Sequence, residues 1–289
     1  MRRSTLAELI ASFARSDRTA SQAALFRGVG ADLAASWDAD LLNAIEALPP
    51  SRVSVYVDGA TVDVFTVRPD RFGALHPALD RDEIRAAVES GATIVLQEVR
   101  GLIPCARPFA EALETAVHAR VWVNVFAAFG DGGLSPHWDD NDVCVCQVQG
   151  TRVWFVSPPD PHDPVAQSRQ VTTHSGACDT YSLEPGDFLV VPRGWIHSAE
   201  IASGSSRPAV HVMFAFRRPT GVDYLQWLAR TAHELAIARS DVPLDPQLRG
   251  EWLDELRRGF YDLSGPDALN AFTTRHEADV DAKSERLFR

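Results

Sequence analysis

Cysteine is scarce in this chain of 289 residues: Cys105, Cys144, Cys146 and Cys178, with no Cys-x-x-Cys pair. That excludes a zinc ribbon. Cys144 and Cys146 lie two apart in a strand-like run, so they share a face, and the thiols read as small buried residues of a reduced protein. Long apolar runs are also missing. No stretch approaches the ~20 residues that cross a bilayer, so no membrane partner is expected. The basic start, Met1-Arg2-Arg3, lacks the continuous apolar region and cleavage site of a secretory signal, which points to the cytoplasm. Positive charge is in deficit, with 28 Lys and Arg against 39 Asp and Glu and a formal charge of −11. Affinity for a phosphate backbone needs clustered Lys and Arg, so direct nucleic-acid binding is not expected, whereas a cationic peptide would suit the acidic surface. No internal repeat or low-complexity segment is present.

What is there is an ordinary globular composition, 45% hydrophobic, long enough for a substantial core. The N-terminal third is mixed. Thr5-x-x-Glu8 is a capping-box pattern before Leu6, Leu9, Ile10 and Phe13 at helical spacing. Asp38 opens a short helix through Leu41, Leu42 and Ile45. Residues 53–57 alternate like a strand before an Asp58-Gly59 turn. Residues 80–88 read as a helix, 93–99 as a strand and 108–118 as a helix. From Val121 short strands crowd together, at 121–126, 143–148, 152–156, 181–183, 187–191 and 209–216. They are joined by Gly and Pro turns, with a long polar loop over 157–180 of the kind that covers active sites. That pattern is a β-sandwich or barrel. The last 70 or so residues are helical, with Tyr224, Trp227, Leu228, Ala232 and Leu235 on one stripe. Asp245-Pro246 then starts a helix carrying Trp252, Leu253, Leu256 and Phe260 on one face.

His137-Trp138-Asp139, with His197 downstream in Gly186-Asp187 … Pro192-Arg193-Gly194-Trp195-Ile196-His197, carries the chemistry. Two imidazoles and one carboxylate can occupy one face of an octahedral metal and leave the other positions open, the facial triad of non-haem Fe(II) oxygenases. In an extended segment residues i and i+2 leave the same face, roughly 7 Å apart, so His137 and Asp139 can converge on one ion. The third ligand, His197, is expected from a distant strand facing them inside the barrel. Zinc is the competing metal, but a structural zinc site closes with sulfur and nitrogen donors. Arg152 follows the Gln149-Gly150 turn among apolar Val153, Trp154 and Val156, where a charge needs a partner. A guanidinium offers a carboxylate two parallel hydrogen bonds.

The run Asn124-Val125-Phe126 … His137-Trp138-Asp139-Asp140-Asn141-Asp142 … Gly150-Thr151-Arg152-Val153-Trp154 … Gly186-Asp187 … Pro192 … His197 resembles the JmjC-type cupin oxygenases, closest to the ribosomal oxygenase branch. The resemblance is dense over about 93–216 and faint outside. It implies a mainly β fold, a double-stranded β-helix (jelly roll) with N-terminal α/β elements over 1–218, and a helical, dimerising region over 219–289. It implies metal ligation by His137, Asp139 and His197 as the catalytic set, Fe(II) as metal, and 2-oxoglutarate as co-substrate bound by Arg152 and Asn124. The activity implied is an O₂-dependent dioxygenase that hydroxylates a side chain of a protein or peptide, with a ribosomal protein or a peptide natural product as candidate partners and a homodimer as assembly. The alternatives are a hydroxylase or demethylase of a free amino acid, small metabolite or modified nucleoside, and a metal-binding cupin scaffold without turnover. The chain departs from the family at Phe126, often a tyrosine, and near Ala128, where a Ser or Thr hydroxyl helps to hold 2-oxoglutarate.

Other candidates have blander readings. His211 lies in an apolar strand and reads as a satisfied core histidine, with orientation of a ligand as the alternative. His162 and His174 fall in the long loop. His76, His118, His233 and His276 have no metal-like spacing. Asp142 is expected to hydrogen-bond locally, and Trp138 and Trp195 to pack or to wall a cleft.

Overall fold

The computed structural model describes residues 4–14, 22–37, 44–45, 48–130, 134–159, 169–170, 176–205 and 207–275. The helix expected from Asp38, much of the 157–180 loop, and His162, His174 and His276 lie outside those residues. The chain divides into two compact units, Met1–Val117 with Val121–Arg217, and His118–Arg120 with Arg218–Arg289.

In the first unit, helix α1 (Leu6–Ala14) begins with the anticipated capping box. The Thr5 hydroxyl accepts the Glu8 N–H at 3.2 Å and the Glu8 carboxylate accepts the Thr5 N–H at 2.8 Å. Strand β1 (Ala24–Phe26), helix α2 (Ala31–Ala35) and strands β2 (Val53–Val57) and β3 (Ala60–Val62) follow. Next come the hairpin strands β4 (Phe65–Pro69) and β5 (Leu75–Leu79), helix α3 (Arg81–Glu89), strand β6 (Thr93–Leu96) and helix α4 (Arg107–Val117). Asp80 caps α3 by accepting the Asp82 and Glu83 N–H groups, a device that stabilises a helix by about 1 kcal/mol.

The remaining strands are β7 (Val121–Ala128), β8 (His137–Trp138), β9 (Asp142–Gln149), β10 (Arg152–Ser157), β11 (Arg169–Gln170), β12 (Asp179–Leu183), β13 (Phe188–Val191), β14 (Ile196–Ile201) and β15 (Ala209–Phe216). They form an eight-stranded sheet in the order β1-β13-β9-β15-β7-β6-β2-β3 and a five-stranded sheet in the order β11-β8-β14-β10-β12. The inner faces meet in one core. Val143, Val145, Leu189, Val191 and Ala215 of the large sheet pack with Trp154, Val156, Leu183 and Ala199 of the small one. This is the mainly β, double-stranded β-helix with helical elaboration that the strand pattern and the resemblance imply.

Strand β9 shows why the run around Cys144 is apolar on both faces. Val143 and Val145 point into the core, while Cys144 and Cys146 take the opposite face and are fully buried. The space there is tight: a Cβ on Gly30 would approach the Cys146 sulfur to 2.4 Å. All four cysteines are free, and burial pushes the Cys144 and Cys146 thiols upward, away from the reactive thiolate.

Two features differ from the sequence reading. The β4–β5 hairpin is unanticipated, because Arg68, Pro69, His76 and Pro77 interrupt its alternation. Strand β14 is missing from the strands delimited in the sequence, yet it pairs with β10 from Arg152↔Ile201 to Ser157↔Ile196.

In the second unit, helix α5 (Gly221–Thr231) starts with a capping box between Thr220 and Asp223. Helix α6 (Pro246–Leu263) is capped by Asp245, whose carboxylate accepts the Gln247 N–H at 2.8 Å. Helix α7 covers residues 266–275. Tyr224, Trp227 and Phe272 form an aromatic cluster with ring centroids 5.4–6.0 Å apart. Gly259 sits where Leu235 comes so close that a Cβ would meet it at 3.2 Å, which explains a residue of poor helix propensity near the end of α6. Helix α6 has no buried residue along its 18 positions. Among the described residues, no helix is long and apolar enough to cross a membrane.

Candidate metal centre

His137 and His197 are direct cross-strand partners on β8 and β14. The barrel therefore does not bring them together across its interior, as expected from the sequence, but side by side in one sheet. Their ring centroids are 4.4 Å apart. Asp139 lies just past the end of β8, and its Oδ2 is 3.7 Å from His197 Nε2. One ligand atom from each of the three residues falls within 4.8 Å of the others. The i, i+2 spacing thus works as anticipated, although only His137 and Trp138 are strand.

Backbone carbonyls orient both imidazoles. His137 Nδ1 donates to the Ser135 carbonyl at 2.8 Å and His197 Nδ1 to the Trp195 carbonyl at 3.0 Å. A ring whose Nδ1–H is committed to a carbonyl presents Nε2 to a metal. The Pro192–Trp195 turn is tied to the first ligand segment. The Gly194 N–H donates to the Asp139 carbonyl at 2.9 Å, and the Arg193 N–H donates to Asp142 Oδ1 at 3.0 Å, the local role expected of Asp142. Arg193 and Arg217 both pair with Asp140. Gly194 has φ +82°, a conformation costly for any residue with a Cβ. Asp187 holds the turn before β13 by accepting the Gly28 and Glu184 N–H groups, each at 3.0 Å, and pairing with Arg27.

Arg152 enters the same cavity from β10. The cavity is lined by the triad together with Thr93, Phe126, Leu134, Trp154, Ser198, Ala199, His211 and Met213. The Arg152 side chain is buried, with residue exposure of 3%. Its Nη2 donates to the Ala199 carbonyl at 2.6 Å, and its Nε has no partner. Burial lowers its pKa to about 10, against an opposing pull from Glu200, so it stays cationic at neutral pH. No described carboxylate forms an ion pair with it. A buried cation left in that state is destabilising unless an anion arrives.

Asn124 does not line this cavity. Its carboxamide oxygen accepts the Glu98 N–H at 2.9 Å, holding a residue whose φ is +52°. His211 is buried as expected, but it is not satisfied. Its Nδ1 lacks a partner, as does Trp154 Nε1. The ring stacks on Phe126 with centroids 4.8 Å apart and meets Trp154 edge-on at 5.3 Å. Burial, then Arg152 and His197, hold its pKa well below the ordinary 6.5, so the ring is neutral at physiological pH. Thr93, Trp154, Met213 and the cavity-facing His211 went unassigned, because a single residue in an apolar strand carries no spacing signal. Trp138 is buried, and Trp195 packs against the core. A larger cavity of about 960 Å³ lies elsewhere on the first unit, but among the described residues no His, Cys, Asp or Glu lines it.

Residues 102–224 match the JmjC domain family. Ribosomal oxygenase 2 of Mus musculus is 39% identical over 101 residues, covering 32% of this chain and 21% of that protein. Ribosomal oxygenase 1 of Homo sapiens is 30% identical over 170 residues, covering 53% of this chain and 26% of that protein. The chain thus spans well under a third of the length of these curated relatives. The ribosomal oxygenase YcfD of Escherichia coli, solved with cobalt and 2-oxoglutarate, superposes with a TM-score of 0.50 at 19% identity over 86% of this chain and 65% of that one. That likeness speaks to the fold.

Proposed function

We propose, from the match of residues 102–224 to the JmjC domain family and the likeness to ribosomal oxygenases, that the chain is an Fe(II)- and 2-oxoglutarate-dependent oxygenase that hydroxylates a side chain of a protein or peptide. The observation that carries this reading is one cavity holding both a His-Asp-His triad and a buried arginine that forms no ion pair among the described residues. The residues fit both groups. The donor set is two imidazoles and one carboxylate, which suits Fe(II) with open positions. The unpartnered Arg152 and Trp154 N–H groups ask for a ligand rich in acceptors, as a dicarboxylate is.

His137, Asp139 and His197 would hold the metal, and Arg152 would pair with the far carboxylate of 2-oxoglutarate. When bound, the metal and 2-oxoglutarate supply the oxidising chemistry: O₂ is consumed, 2-oxoglutarate leaves as succinate and CO₂, and a C–H bond gains a hydroxyl. The protein's part is orientation and exclusion of water. Backbone carbonyls fix the two imidazoles, the Gly194 turn fixes Asp139 relative to His197, and Phe126, Trp154 and Met213 wall the cavity.

The substrate side is argued from charge and from kinship. A formal charge of −11 favours a basic protein or peptide, and the names of the relatives make a ribosomal protein the first candidate. The free thiols suit a reducing, cytoplasmic setting. The second unit would assemble the protein as a homodimer. Its Val222, Leu225, Leu244, Leu248, Leu253 and Leu269 are between 39% and 92% exposed, and apolar surface of that kind is usually covered by a partner.

The test needs no substrate. Purified protein mixed anaerobically with Fe(II) and 2-oxoglutarate should develop a visible metal-to-ligand charge-transfer band. The band should vanish in His137→Ala and weaken in Arg152→Ala. Tight Fe(II) binding with no band would overturn the co-substrate assignment and leave a non-catalytic cupin.

A further inference from the structure

We propose that His211 is a second co-substrate-binding residue, its Nδ1–H donating to the same carboxylate that Arg152 clamps. The inference rests on the oxygenase reading above and names a group that the resemblance does not assign.

Three buried side-chain nitrogens without partners, Arg152 Nε, Trp154 Nε1 and His211 Nδ1, belong to residues lining this one cavity. Buried polar groups are almost always paired, so such a cluster marks a place for a ligand. The arginine and indole nitrogens only donate, so the ligand there must accept. A carboxylate offers two oxygens with about four acceptor sites, more than Arg152 alone can fill, since its Nη2 already serves the Ala199 carbonyl.

Among the lining residues Thr93 and Ser198 carry hydroxyls, whereas Phe126 and Met213 carry none. His211 sits directly across from Phe126 in the β15–β7 pairing. A donor on His211 therefore enters the cavity beside the position where a tyrosine hydroxyl would otherwise serve. The local backbone supports this placement. The register between β15 and β9 shifts between Val210 and His211, and such bulges commonly re-aim a side chain next to a site. The stack on Phe126 and the edge contact with Trp154 then leave the ring little freedom, which is how a binding group is preorganised.

The experiment is an anaerobic titration of 2-oxoglutarate into the Fe(II)-loaded protein, read by the charge-transfer band. A parallel measurement of Fe(II) affinity uses a competing chelator. His211→Phe keeps the ring stack and removes the donor. It should raise half-saturating 2-oxoglutarate about tenfold or more, the size of a lost hydrogen bond to a charged group, and leave Fe(II) affinity unchanged. Adding Phe126→Tyr to His211→Phe should recover part of the loss by returning a hydroxyl across the strand pair. His211→Asn, smaller and still a donor, serves where the phenylalanine variant does not fold, and should bind 2-oxoglutarate more tightly than His211→Ala. Wild-type 2-oxoglutarate affinity in His211→Phe, or a parallel fall in Fe(II) affinity without rescue by tyrosine, would overturn the assignment. Absence of any 2-oxoglutarate-dependent band in the unaltered protein would instead remove the oxygenase reading itself.

Discussion

Arg152 and His211 are both buried in one cavity, yet their charges differ for a physical reason. Desolvation favours the neutral form of each, but a guanidinium starts so high that a fall to about 10 leaves it cationic, while an imidazole pushed below 6.5 is neutral. Arg152→Lys should therefore bind 2-oxoglutarate better than Arg152→Ala but less well than the unaltered protein, because it keeps a charge and loses the fork. Titration by the charge-transfer band checks the order. His211 also makes stability depend on pH in the metal-free protein. Below pH 6.5 the unfolded chain binds a proton that the native ring refuses, so stability falls as pH falls. The loss should grow between about pH 6.5 and 5.5. Urea denaturation at the two pH values should show the loss, and His211→Phe should show less of it. That the triad residues and Arg152 come together was legible in the sequence, because metal and carboxylate chemistry demands those residue types at those spacings. His211 was not, since its role depends on a register shift and an unpartnered nitrogen that only the packed sheets reveal.

At the level of elements, the site hangs on the Pro192–Trp195 turn and the strand it feeds. That strand was the harder one to read. Val143–Val148 and Ala209–Phe216 announce themselves as apolar runs, whereas Ile196-His197-Ser198-Ala199-Glu200-Ile201 is half polar, with His197, Ser198 and Glu200 breaking the run. The glycine was legible as a turn signal, and the structure adds its cause, φ +82° and a bond from its N–H to the Asp139 carbonyl. Gly194→Ala should cost about 1–2 kcal/mol of folding stability through left-handed strain. Because the turn spaces Asp139 from His197, it should also weaken Fe(II) binding by more than the stability loss alone accounts for. Thermal melts with and without Fe(II) separate the two effects: a variant whose Fe(II)-induced rise in Tm matches the unaltered protein would show that the turn does not set ligand geometry.

Across the whole molecule, the two units pose different physical problems. Helix α6 is long and amphipathic in sequence, and none of its 18 residues is fully buried: Trp252, Leu256 and Phe260 of its stripe are half-buried, while Leu248 and Leu253 are exposed. A homodimer in solution is the expected outcome, measured by light scattering at micromolar concentration, and Leu248→Lys with Leu253→Lys should yield monomers that keep the charge-transfer band. Net charge would act on the proposed peptide substrate instead. At a formal −11 a basic peptide is attracted over the Debye length, which falls from about 10 Å at 0.1 M salt to about 3 Å at 1 M. Raising salt should therefore raise KM for the peptide. The KM for 2-oxoglutarate should change far less, because its cation, Arg152, is 3% exposed and screened little. The two constants measured in one salt series carry their own control. A peptide KM that holds steady, or one that moves in step with that of 2-oxoglutarate, would mean the acidic surface plays no part in choosing the substrate.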